Sequence, residues 1–166
     1  KIDPTRYESF FTHFLEDEDP LTRALAVRCR SLSSVEDLFE VLREYVRDQD
    51  SRVIQASLES LQRVPVSTRP AEGLLTYLSE SLKTEDQPVL HAAIELLGRR
   101  GQKEEFESAL IALKPYLSDG ESATRTVAAN ALTTLGRGAR NTEVVAAQGF
   151  VAGWQIVGPF LNDRQN

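Results

Sequence analysis

Asp86 to Gly101, DQPVLHAAIELLGRRG, reads as one helix. Asp86 supplies a carboxylate for the free N–H groups of the first turn, where Pro88 is tolerated, and Gly101 stands just past the end. Three further stretches carry the same pattern. They begin at Asp19, Asp50 and Glu121, so the four caps are spaced by 31, 36 and 35 residues. A period of that length is the signature of helical pairs stacked one upon the next.

Working outward, each of these helices has a companion in front of it. Asp3-Pro4 opens the first, whose Tyr7, Phe10, Phe11, Phe14 and Leu15 share one face. Glu16-Asp17-Glu18-Asp19 breaks it, and a second helix runs from Pro20 to about Leu32 with Ala26, Val27 and Cys29 inward. Ser34 caps the next companion, with Leu38, Val41, Leu42, Tyr45 and Val46 as its stripe, before Asp50 caps SRVIQASLESLQRV. Pro65 and Pro70 mark a longer break. The third pair joins 71–83 to the Asp86 helix, and the fourth joins 104–117 to 122–135, with Gly136 and Gly138 expected to stop the series.

Register is the strongest feature. Four residues before the caps stand Leu15, Val46, Leu82 and Leu117, and eight before stand Phe11, Leu42, Leu78 and Leu113. Seven after stand Ala26, Ser57, Ala93 and Ala128; eight after stand Val27, Leu58, Ile94 and Ala129. Small residues at such a place let neighbouring helices approach closely. An ordinary bundle shares helical stripes but has no reason to share a register.

An acidic cap, a Val three later, two small or aliphatic residues, then Leu and Gly resembles the second helix of HEAT repeats. Asp86, Val89, Ala93, Ile94, Leu97 and Gly101 carry that pattern, as do Glu121, Arg125, Ala128, Ala129, Ala131, Leu132, Leu135 and Gly136. The resemblance implies an all-α, right-handed solenoid of about four antiparallel pairs over residues 4–138, with 139–166 as a non-repeat tail. HEAT units often carry a basic residue after the cap; Arg23 and Arg125 fit, whereas Ile54 and Leu90 interrupt any continuous Asp–Arg ladder. In the tail, WQIVGPF (residues 154–160) is similar to the segment that opens β-sandwich domains in large, often exported bacterial proteins. That likeness implies a following domain and favours a periplasmic or exported setting over a cytoplasmic one. The other reading of Trp154 and Phe160 is a cover for the last repeat.

Composition narrows the function classes. The chain has 166 residues, a hydrophobic fraction of 41% and a net charge of −6 spread over both halves. Such a surface repels phosphate backbones, which disfavours nucleic acid as a partner. No apolar run approaches the roughly 20 residues that span a bilayer. Cys29 is the sole cysteine and excludes an internal disulfide. The absence of methionine suggests that Lys1 is not the native start and that the chain is a processed product or an excised domain.

Candidates for chemistry are few. His91 and Glu95 are one helical turn apart, a spacing that can present two ligands to one metal, but no third ligand accompanies them. Cys29 takes a core position of the repeat. The sequence contains no GxGxxG, P-loop or HExxH motif. What remains is the face left after the core is assigned. Five residues after the caps stand Ala24, Gln55, His91 and Thr126, and nine after stand Arg28, Glu59, Glu95 and Asn130. In a HEAT-like stack these line the concave side as a polar groove of mixed charge. The binding set is therefore Arg28, Gln55, Glu59, His91, Glu95, Thr126 and Asn130, facing a protein partner or a neighbouring domain, with no cofactor and no catalytic residue. The resemblance also admits other classes: HEAT-like DNA glycosylases, which need a basic groove; bilin lyases and bilin- or heme-binding relatives, which need a ligand pocket; and a spacer in an exported enzyme.

Overall fold

The computed structural model describes residues 12–30, 42–63, 74–101 and 105–140. Among these every regular element is helical and there is no strand. In chain order the α-helices are α1 (Pro20–Arg30), α2 (Ser51–Arg63), α3 (Leu74–Leu78), α4 (Gln87–Arg100), α5 (Phe106–Leu113) and α6 (Ser122–Arg140). Two 3₁₀ segments, Tyr45–Arg47 and Lys114–Ser118, lie between them. Of the first companion helix, which opens at Pro4, residues 12–15 are described and helical, as are 42–44 of the second; the part through Phe11, the Ser34 cap with Leu38 and Val41, the Pro65–Pro70 break, and the tail with Trp154 and Phe160 lie outside the described residues.

The helices α1, α2, α4 and α6 form a row in which each packs on the next. Tyr45–Arg47 lies against α2, α3 against α4, and α5 with Lys114–Ser118 against α6. The shared register explains this arrangement. Leu15, Val46, Leu82 and Leu117 are all buried, as are Leu42, Leu78 and Leu113. So are Ala26, Ser57, Ala93 and Ala128, together with Val27, Leu58 and Ile94; Ala129, on the last helix, is half-buried. One contiguous core therefore runs along the row.

The turns into the long helices repeat one geometry. Two residues before each cap, a side-chain oxygen accepts the cap's backbone N–H. The pairs are Asp17 with Asp19 at 2.8 Å, Asp48 with Asp50 at 2.9 Å, Thr84 with Asp86 at 3.1 Å and Asp119 with Glu121 at 2.8 Å. Short polar side chains mimic a backbone turn in this way and aim the chain into the helix. The cap carboxylates then complete the helix starts: Asp19 accepts from Leu21 and Thr22 N–H, Asp50 from Arg52 N–H, and Asp86 from Val89 N–H at 3.1 Å.

Four expectations are corrected. Cys29 is exposed and Ala24 is buried, the reverse of their assigned faces. Gly136 and Gly138 do not stop the last helix, because α6 continues to Arg140. The helix expected over 104–117 is α-helical only to Leu113. Pro115, which has no N–H, interrupts the α ladder, and the chain tightens into a 3₁₀ turn there. The helix expected over 71–83 is α-helical from Leu74 to Leu78 and continues as tight turns.

Gly98 also has a role other than ending a helix. It lies inside α4, buried, and a Cβ added there would meet Ala131 Cα and O at 2.6 Å. The backbones of α4 and α6 come this close because that position has no side chain.

Candidate functional site

The polar face begins at the contact between α1 and α2. Arg28 Nη2 stands 3.4 Å from Glu59 Oε2, across the two helices. Gln55, one turn earlier on α2, donates from Nε2 to Glu59 Oε1 at 2.8 Å. Glu59 is thus held from two sides. Both charged side chains remain substantially exposed (42% and 33%), so the pair is worth about 0–1 kcal/mol of stability.

Farther along the row, His91 of α4 does not point at Glu95. Its Nε2 is 2.9 Å from Thr124 Oγ1 on α6, and Thr124 Oγ1 lies 3.0 Å from Gln87 Oε1. With Thr124 donating to the Gln87 carbonyl oxygen, its lone pair is left to accept from His91 Nε2–H. Thr124 is fully buried and His91 half-buried. This chain of polar groups pins α4 to α6, and the two-ligand spacing of His91 with Glu95 is not used as a pair. Among the described residues no group of three or more His, Cys, Asp or Glu side chains is placed to hold a metal ion.

The remaining members are Glu95 on α4 and Thr126 and Asn130 on α6, all exposed. Thr126 Oγ1 donates back to Ser122 O at 2.9 Å. Five residues after the cap, the side chain is buried on α1 (Ala24), half-buried on α2 and α4 (Gln55, His91) and exposed on α6 (Thr126). On α4 that position meets the next helix of the row, through His91 and Thr124. The row nine residues after the cap (Arg28, Glu59, Glu95, Asn130) is the more open one and carries both charge signs.

Three inter-helix contacts were not foreseen from the sequence. Arg23 on α1 forms a bidentate pair with Asp48, Nε to Oδ2 at 2.9 Å and Nη2 to Oδ1 at 2.8 Å, while its Nη1 donates to Asp17 O and Glu18 O. Burial pushes the Asp48 carboxyl up, but the Arg23 hydrogen bonds and the Asp50 N–H outweigh it and hold the group below its ordinary value. Arg100 reaches back from α4 to Leu61 O at 3.1 Å, placing a buried cation on a carbonyl of the last turn of α2. Burial lowers its pKa. Gln62 Nε2 donates to Ala92 O at 3.2 Å across the same interface. The Asp-x-Asp spacing before two of the caps was the available signal for Arg23 with Asp48; nothing marked Arg100, whose charge argued for solvent.

Away from this row, Arg43 Nη1 donates to Tyr77 Oη at 2.7 Å, and the Arg43 and Arg47 guanidinium carbons stand 5.2 and 5.7 Å from the Tyr77 ring centre. No family model and no curated protein matches the chain. No helix among the described residues is long and apolar enough to cross a membrane.

Proposed function

We propose that this chain is a right-handed, HEAT-like α-solenoid of four antiparallel helix pairs, and that it works as a non-catalytic scaffold holding a protein partner or a neighbouring domain. The observation that carries the reading is the fourfold recurrence of one turn geometry before helices that pack in a row. Stacked units of this kind present an extended surface whose side chains repeat at a fixed interval.

The surface used for binding is the open row of Arg28, Glu59, Glu95 and Asn130, with Gln55 alongside Glu59. Its mixed charge and modest exposure favour polar contacts that set specificity over a deep apolar anchor. The Arg28–Glu59 pair can open toward a partner at small cost.

A charge reversal tests this. The wild-type chain and a Glu59→Arg/Glu95→Arg variant are used to capture interacting protein, which is then purified and titrated against each. The expected result is an unchanged thermal midpoint with affinity weakened at least about tenfold, corresponding to ~1.4 kcal/mol. Equal affinity for both forms overturns the assignment of this face. A titration with heme or bilin separates the ligand-binding class: a stoichiometric complex with a shifted absorption band would replace the scaffold reading.

A further inference from the structure

Among the described residues, the two ends of the row carry complementary features. Along the row, the positions six and ten residues after the cap face the preceding helix. They are covered on α2 (Ala56, Ser60), and on α4 (Ala92, Leu96), and Ala131 of α6 is likewise buried. On α1 the same two positions are Leu25, 61% exposed, and Cys29, also exposed; Leu21, one turn before Leu25, is 53% exposed. On α6 the other position, Val127, is half-buried, so the first helix shows solvent an apolar version of a surface that the later helices largely cover.

The ion pairs have the same polarity. Arg23 binds its own turn through Nη1, to Asp17 O at 2.8 Å and Glu18 O at 3.0 Å, and with Nε and Nη2 it grips Asp48 in the next turn. Arg125 repeats the first half of this contact, with Nη1 donating to Asp119 O at 2.8 Å and Gly120 O at 3.0 Å. Among the described residues no carboxylate completes the second half. At the other end Asp17 occupies the place of Asp48, with Oδ1 accepting the Asp19 N–H, and no described cation pairs with it.

We propose that a second copy of this chain docks head to tail, its α6 end on the α1 face of the first. Arg125 of one copy takes Asp17 of the other, and Leu21, Leu25 and Cys29 pack against the Thr126–Ala129–Thr133 face of α6. This rests on the repeat reading above; it shares Thr126 with the polar set, while Glu59 and Glu95 take no part in it. The contact joins two different surfaces, so it propagates into open chains of copies.

Sedimentation velocity over a range of concentrations tests it. Wild type should grow past a dimer as concentration rises, and Asp17→Arg or Arg125→Asp alone should remain monomeric. In an equimolar mixture of the two variants every contact between unlike copies again joins opposite charges: the native pair is kept at one junction and its two charges are exchanged at the next. Assembly should therefore return in the mixture. Alkylation of Cys29 should slow at concentrations where copies stack. A wild-type chain that stays monomeric throughout, or assembly that survives both single reversals, overturns the proposal. The mixture guards against a variant that simply misfolds. A Glu59→Arg/Glu95→Arg variant should assemble as wild type does, which separates this result from the fate of the groove.

Discussion

At the scale of single residues, three glycines that look alike in the sequence have different surroundings. Gly98 is an interior position where a Cβ would meet Ala131 backbone atoms at 2.6 Å, whereas a Cβ at Gly136 would meet nothing within 4 Å. Gly98→Ala should therefore force α4 and α6 apart and lower stability by about 1–3 kcal/mol, the usual scale of overpacking. Gly136→Ala lies in a helix with open space and should raise stability by ~0.5–1 kcal/mol through helix propensity and loss of unfolded-state freedom. Thermal or urea unfolding of the two variants should give shifts of opposite sign, and a matching sign would contradict the placement of one glycine. Gly101 sits past the end of α4 against Leu97 O, at 2.8 Å from an added Cβ, and closes that helix by donating its N–H to the same carbonyl.

At the scale of elements, the joint between α1 and α2 depends on Arg23 and Asp48, whose side chains are 17% and 11% exposed. Asp48 is held below its ordinary pKa, so the folded state binds its proton less readily than the unfolded chain does. The stabilisation is fully present above the unfolded carboxylate value of about 3.9, and it is lost as pH falls through the lower folded value. Asp48→Asn should cost about 1–3 kcal/mol at neutral pH, between an exposed pair and a buried one, and should flatten the decline in stability below about pH 4. Unfolding midpoints between acid and neutral pH measure both effects; a variant whose profile parallels that of wild type would show that the pair does not couple the turns. The elements also show what sequence could and could not deliver. The caps, the period and the buried register were legible because a helix start needs an acceptor and a packed face needs apolar residues at fixed intervals. The exposure of Cys29 was not, since the pattern says which face a residue occupies but not whether a neighbour exists to cover it. The full length of α6 was missed for a related reason: glycine weakens a helix without forbidding it. His91 and Thr124 belong together only because α4 lies on α6, a relation no local spacing expresses.

At the scale of the whole molecule, stability should peak in the middle of the row. Helix α4 is packed by α2 on one side and α6 on the other, while α1 and α6 each have a single long-helix neighbour among the described residues. Nearest-neighbour stacking distributes stability through the interfaces, so the helix with two of them opens least often. Amide hydrogen exchange should be slowest in α4 around Ala93 to Leu97, where every side chain but that of Glu95 is buried. Ala93→Asp probes the coupling directly, because it places an unpaired carboxylate in a fully buried site and should cost about 3–5 kcal/mol, a large share of the ~5–15 kcal/mol available to a domain of this size. If the units stand only by leaning on one another, exchange protection in this variant falls in α2 and α6 together with α4. Protection that persists in α1 and α2 while α4 and α6 open would mean that the first two turns, tied by Arg23 and Asp48, hold as a unit of their own. The row would then respond to a local lesion by opening from one end, and the double variant Ala93→Asp/Asp48→Asn should remove the protection that remained.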